Sequence, residues 1–165
     1  MIPAEFTECY ELQLAAYKKN RNPGHAERVA DLRTLHRMLV ENHDALVDAV
    51  NKDFGCRCAF ETKFAETFMA QDATLDAIKH LKKWMKPIRR HLDPTQFPLA
   101  RAWTFPQPVG VVGVVVPWNF PIAMAFQPLI GIIAAGNRAM IKMSENSNHL
   151  ALLLKQISPK YFPRD

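Results

Sequence analysis

With 165 residues, 48% of them hydrophobic and 22% charged, the chain has the composition of one globular unit and not of a disordered or fibrous protein. Its formal net charge of +5 invites a polyanionic partner without identifying one, and no apolar run reaches the roughly 18 residues that a membrane span needs. Residues 1–13 lack the basic region and apolar core of a secretory leader, so a cytoplasmic protein is expected, with no membrane partner.

The first half reads as helices. Tyr10, Leu14 and Tyr17 stand at i, i+4 and i+7, the spacing that lines one helix face, and Pro23-Gly24 interrupts it. Val29, Leu32, Leu35 and Leu39 continue a helical stripe, and Asp44 is placed to cap a short helix that carries Leu46 and Val50 and ends near Gly55. The longest helix is expected over Phe60 to Met85, stopped by Pro87, with Phe60, Phe64, Phe68, Leu75, Ile78 and Leu81 as its apolar set and the aromatics in the core. Residues 1–86 thus make an N-terminal helical region.

Two features of this half invite a chemical reading. Cys9, Cys56 and Cys58 form no disulfide framework, and Cys56 and Cys58 stand one residue apart without His or Cys partners at ligand spacing, so reduced thiols and no metal are expected. Lys79, Lys82, Lys83, Lys86, Arg89 and Arg90 gather where the negative end of a helix dipole favours cations. No nucleic-acid module accompanies them, so no nucleic-acid partner is expected.

Between residues 87 and 108 the texture changes, because Pro94, Pro98 and Pro106 remove backbone donors and favour extended neighbours. This is an extended, Pro-rich connection in which Leu99 to Phe105 can form an exposed strand arm, the rest being irregular. Val109 to Val116 follows, apolar except for two glycines, and reads as a strand buried on both faces of a parallel sheet. A helix from Pro121 to Ala135, a Gly136-Asn137 turn, a strand from Arg138 to Met143 and a helix capped by Ser147 and running to Ile157 complete a β-α-β-α order. The fold class is therefore α/β: N-terminal helices, then over residues 109–165 the first part of a Rossmann-like parallel nucleotide-binding sheet.

Ligands of such sheets bind at the carboxyl ends of the strands, which here are Pro117 to Pro121 and Lys142 to Glu145. The fingerprint G-x-G-x-x-G is absent, but Lys142 offers a cation and Glu145 an acceptor, the pair of groups that ribose hydroxyls need. Taken singly, Asn119 reads as a turn residue, Trp118 as core, Lys142 as a solvated strand end and Glu145 as an acid at a helix N-terminus.

The combination is more specific. QPVGVVGVVVPWNFPIAMAFQPLIGIIAAGNRAMIKMSE, residues 107–145, resembles the aldehyde dehydrogenase superfamily, in which a strand runs into P-W-N-[FY]-P and AAGN precedes a strand ending K-x-S-E. Met143, where many relatives carry proline, is most similar to the coniferyl aldehyde dehydrogenase subgroup. The resemblance implies oxidation of an aldehyde to the acid through attack by a cysteine and hydride transfer to a nicotinamide. Asn119 would donate to the oxyanion, Lys142 and Glu145 would hold the adenosine ribose, and Val116, Pro117, Trp118 and Ser144 would line the cofactor cleft. The cofactor implied is NAD, with NADP as the alternative, since Glu145 accepts from a 2′-hydroxyl and repels a 2′-phosphate. A small aldehyde substrate and a homo-oligomer are implied for the full-length form.

In the family the nucleophilic cysteine and general-base glutamate lie beyond the position of Asp165, so an N-terminal segment without activity of its own is expected. A sheet of about two strands would leave VVGVVV on an open edge and make the chain poorly soluble. The alternative is a non-catalytic module that docks on intact dehydrogenase subunits through that edge and the Leu99 to Phe105 segment.

Overall fold

The computed structural model describes residues 4–162; the outer limits of the expected regions, residues 1 and 165, lie outside them. Helix α1 spans Ala4–Lys19, α2 His25–Glu41 and α3 His43–Phe54. In α1, Leu14 and Tyr17 are half-buried while Tyr10, earlier in the helix, is exposed. The Tyr17 hydroxyl donates to the Pro108 carbonyl at 3.2 Å, which ties α1 to the start of the parallel sheet. Helix α2 buries Val29, Leu32, Leu35 and Leu39, as the 3.6-residue spacing dictates. The residue that leads into α3 is Asn42 and not Asp44; Asp44 stands in the first turn, where it meets Lys63 at 3.2 Å. Gly55 ends α3 at a φ of 76°, a conformation open to glycine without a Cβ clash.

The longest helical stretch corrects the sequence expectation twice. It runs as α4 (Ala59–Thr62), a π-helical turn (Lys63–Phe68) and α5 (Met69–Trp84), so one turn is widened instead of the whole being α-helical. Its aromatics are not core: Phe60, Phe64 and Phe68 are 73%, 57% and 51% exposed, and their rings stack on one another at 6.2 and 6.0 Å. Leu75 is also exposed. The buried face is Thr62, Glu66, Thr67, Ala70, Thr74, Ala77 and Leu81. The small side chains of Ala70, Thr74 and Ala77 let α5 lie close against α2 and α6. The buried hydroxyls of Thr67 and Thr74 donate to the helix's own carbonyls, at Lys63 (2.9 Å) and Ala70 (2.7 Å), so burying them leaves no orphan donor.

Strands β1 (Ile88–Arg90) and β2 (Ala102–Thr104) pair antiparallel into an exposed arm. The expected arm is thus a strand over three residues only, and its partner β1 comes from a stretch that the prolines made look irregular. Of the basic cluster, Lys82 and Lys83 occupy the last turn of α5, whereas Arg89 and Arg90 lie on β1.

Strand β3 (Val111–Val115), helix α6 (Pro121–Ala134), strand β4 (Arg138–Lys142) and helix α7 (Asn148–Ile157) follow in the expected order, with β3 and β4 parallel and Val115 opposite Lys142. Gly136 makes the turn into β4 at a φ of 81°, with the Arg28 guanidinium beneath it. The expectation that Val109 to Val116 is buried on both faces fails. Val114 and Val116 are buried, but Val109 and Val115 are 82% and 80% exposed: successive side chains point to opposite faces, and the face that carries Val115 is left uncovered among the described residues. Helix α7 also differs in its cap: Ser147 makes no capping bond, and Asp53, reaching over from α3, accepts from the backbone N–H groups of His149 (2.8 Å) and Leu150 (3.0 Å). No helix is long and apolar enough to cross a membrane, and no three metal-ligating side chains cluster among the described residues.

Candidate active site at the carboxyl ends of the parallel strands

The N–H of Val116 donates to the Lys142 carbonyl at 2.9 Å, carrying the β3–β4 ladder one residue past β3. Two turns therefore leave the sheet side by side: Pro117 to Phe120, which leads into α6, and Met143 to Ser147, which leads into α7. Val116 is buried and anchors the first turn; Pro117, Trp118 and Asn119 are exposed on it. Trp118 is 54% exposed with its ring 6.0 Å from that of Phe54, which places it on the rim and not in the core.

On the second turn, the Lys142 ammonium donates to the Glu145 carboxylate. That hydrogen bond, a backbone N–H and the ammonium's charge hold the Glu145 carboxyl below the usual carboxylate range. The Ser144 hydroxyl accepts from the Asn146 N–H at 3.2 Å, which shapes the turn. The seven residues singled out in the sequence thus lie at one end of the sheet, Val116 and Lys142 at the strand ends and the other five on the two adjacent turns. Asn119 and the Lys142–Glu145 pair remain separate groups there, with no hydrogen bond of the described residues joining them.

Two residues that the sequence reading passed over hold the first turn. Arg57, between α3 and α4, donates through Nη1 to the Asn119 carbonyl at 2.5 Å, and its guanidinium lies between the rings of Phe54 (4.7 Å) and Phe120 (4.6 Å). Glu66, on the π-helical turn, accepts through Oε2 from the N–H groups of Ile122 (2.8 Å) and Ala123 (3.2 Å), in the first turn of α6. Its other oxygen stands 3.2 Å from Arg57 Nη2, and the two side chains are 4% and 0% exposed. Burial pushes the Glu66 carboxyl above its ordinary pKa, against the pull of the Ala123 N–H, the Arg57 charge and the Ile122 N–H. Thr62, Glu66, Ala70, Thr74, Ala77 and Leu81, at spacings of three and four, are the signal that was there to read. The Phe60-Phe64-Phe68 stripe at the same period is more apolar and masked it.

A cleft of about 690 Å³ opens elsewhere, where α1 and α2 meet the amino end of β4, lined by Tyr17, Glu27, Asp31, Asn137, Arg138 and Phe162. Burial raises the Asp31 carboxyl pKa there, with Arg138 opposing it.

Residues 3–164 match the profile of the aldehyde dehydrogenase family. The chain is 44% identical over 153 residues to a probable coniferyl aldehyde dehydrogenase of Pseudomonas aeruginosa, an overlap of 93% of this chain and 32% of that protein. With a probable coniferyl aldehyde dehydrogenase of Caulobacter vibrioides it shares 38% identity over 161 residues, 96% of this chain and 33% of the other. A substrate-bound AldH of Staphylococcus aureus superposes with a TM-score of 0.90 at 25% identity, over 99% of this chain and 35% of its own. Succinic semialdehyde dehydrogenase of Streptococcus pyogenes, in complex with NADP+, gives 0.83 at 21% identity over 98% and 34%, a likeness of fold. The chain spans about a third of the length of the curated relatives it matches.

Proposed function

The chain belongs to the aldehyde dehydrogenase family, and from that premise we propose that it carries the oxyanion donor and the adenosine-ribose contacts of an NAD(P)-dependent oxidation of an aldehyde to its acid. The observation that carries this reading is the juxtaposition of Asn119 with the Lys142–Glu145 pair on neighbouring turns at the carboxyl ends of β3 and β4. Residues 109–165 are read as the first part of a dinucleotide-binding sheet, residues 1–86 as its helical partner and residues 87–108 as the connection bearing the β1–β2 arm.

The exposed Asn119 amide is a neutral donor free to meet negative charge on a carbonyl oxygen, and a preorganised donor of this kind lowers a barrier by about 2.7–4 kcal/mol. Lys142 and Glu145 fit a ribose, because the ammonium donates and the carboxylate accepts, as the two hydroxyls require. Val116, Pro117, Trp118 and Ser144, beside these groups on the strand ends and turns, would line the cofactor's path. When bound, the nicotinamide cofactor takes the hydride. Glu145 favours NAD over NADP, since its exposed carboxylate accepts from a 2′-hydroxyl and repels a 2′-phosphate. Coniferyl aldehyde is the substrate proposed, after the relatives that carry that name. None of Cys9, Cys56 and Cys58 is assigned the nucleophile's role, so the 165 residues are expected to bind cofactor without turnover. A cytoplasmic homo-oligomer of the longer form belongs to the same proposal.

Calorimetric titration of the chain with NAD and NADP tests the ribose assignment. Lys142→Ala and Glu145→Ala should each weaken NAD binding without moving the melting temperature, and NADP should bind the native chain more weakly than NAD. Equal NAD affinity in all three proteins would remove the assignment. Grafting residues 1–165 onto the remainder of the Pseudomonas aeruginosa relative tests the oxyanion role: Asn119→Ala in the graft should lower kcat about 10²–10³-fold.

A further inference from the structure

We infer that Arg57 and Glu66 are positioning residues for Asn119, acting as a buried two-sided clamp that fixes the main chain on either side of it and so aims its side-chain amide. The inference takes the oxyanion role of Asn119 from the reading above; the clamp itself rests on the hydrogen bonds.

The two charges do complementary work. A carbonyl needs a donor, and Arg57 supplies one to the oxygen of Asn119 itself; backbone N–H groups need an acceptor, and Glu66 supplies one to Ile122 and Ala123. Between these grips the Phe120 ring lies against the guanidinium and Pro121 fixes its own φ at the first position of α6. Every residue from Asn119 to Ala123 is thereby held, and the remaining freedom at Asn119 is its side-chain torsions. The arrangement is directional where apolar packing would not be, since a buried ion pair adds little net stability over a well-packed hydrophobic pair of similar volume.

The clamp also decides which donors remain for an oxyanion. At a free helix N-terminus the first N–H groups attract anions, but here those of Ile122 and Ala123 are spent on Glu66. The nearby charges of Arg57 and Glu66 offset each other. A developing negative charge beside this turn therefore finds the Ile122 and Ala123 N–H groups already engaged, and the direction of the Asn119 amide becomes the quantity worth fixing.

Amide hydrogen exchange at Ile122 and Ala123, together with nitrogen relaxation of the Asn119 side-chain NH2, read the clamp in the 165-residue chain. Against the native protein, Glu66→Ala should speed exchange at Ile122 and Ala123 about tenfold or more beyond any change at Leu32 and Leu35 in α2, and lower the order of the Asn119 NH2. Arg57→Lys, which keeps a donor for the Asn119 carbonyl, should retain more of that order than Arg57→Ala. If Glu66→Ala does not fold, Glu66→Gln carries the comparison, since it keeps the acceptor oxygen and loses only the pairing charge; it should loosen Asn119 while leaving Leu32 and Leu35 protected. A uniform rise in exchange at all these amides, with the order of the Asn119 NH2 unchanged, would make the pair a general structural element and overturn the inference. Local loosening in the chain alongside full kcat for the Asn119→Ala graft would instead retain the clamp and reject the oxyanion role.

Discussion

Glu66 has no exposed side-chain surface, and Arg57 and two backbone N–H groups hold its charge against the cost of burial. Burial wins, so the folded carboxyl takes up its proton at a higher pH than in the unfolded chain. The stability linked to that proton is complete below the ordinary carboxylate pKa and is lost as pH rises through the raised folded value. Urea midpoints across the acid range should therefore fall with rising pH in that window, and fall less in Glu66→Gln; Asp31, also raised by burial, supplies the slope that remains. An identical slope in the variant would refute the assignment. That Asn119, Lys142 and Glu145 gather at the carboxyl ends of β3 and β4 was legible because a motif places them at or within a few residues of the strand ends. Arg57 and Glu66 were not, because their partners stand 62 and 56 positions away in the chain.

Element by element, the largest misreading is the face of the helical stretch from Ala59 to Trp84. Two stripes of helical period compete there, one aromatic and one of small residues, and hydropathy alone favours the aromatic one. The small stripe is inside because α2 and α6 approach it closely, and the π-helical turn adds a residue that shifts the register between its two ends. Substitutions separate the two. Phe64→Gln should change unfolding free energy by no more than about 0.5 kcal/mol, as befits an exposed site. Ala70→Leu, which adds volume to a fully buried position, should cost about 1–3 kcal/mol in the same denaturation experiment. The reverse order would return the aromatics to the core. The cap of α7 follows the same logic: Ser147 stands at the expected place, yet the accepting oxygens come from Asp53 on another helix.

At the scale of the whole molecule, α1, α6 and the helices behind them cover part of a two-stranded parallel sheet, while Val115 and Val109 stay open to solvent. A bare β-branched face on a strand paired along one edge recruits other chains, so the 165-residue chain should self-associate, and Val115→Lys should raise the monomer fraction in sedimentation velocity. A native chain already monomeric would contradict this. By itself the sequence determined what depends on near neighbours: breaks at Pro23-Gly24, Gly55 and Pro87, the strand–helix–strand–helix order after Pro108, and the motif that carries the family. Tertiary structure alone decided which helix face turned inward, that Glu66 and Asp53 hold the starts of α6 and α7, and that one side of β3 stays bare. The reason is physical: the groups that Glu66 and Asp53 hold stand between 56 and 97 residues away, and the other outcomes likewise rest on separate elements, which a local pattern does not record and only packing brings together.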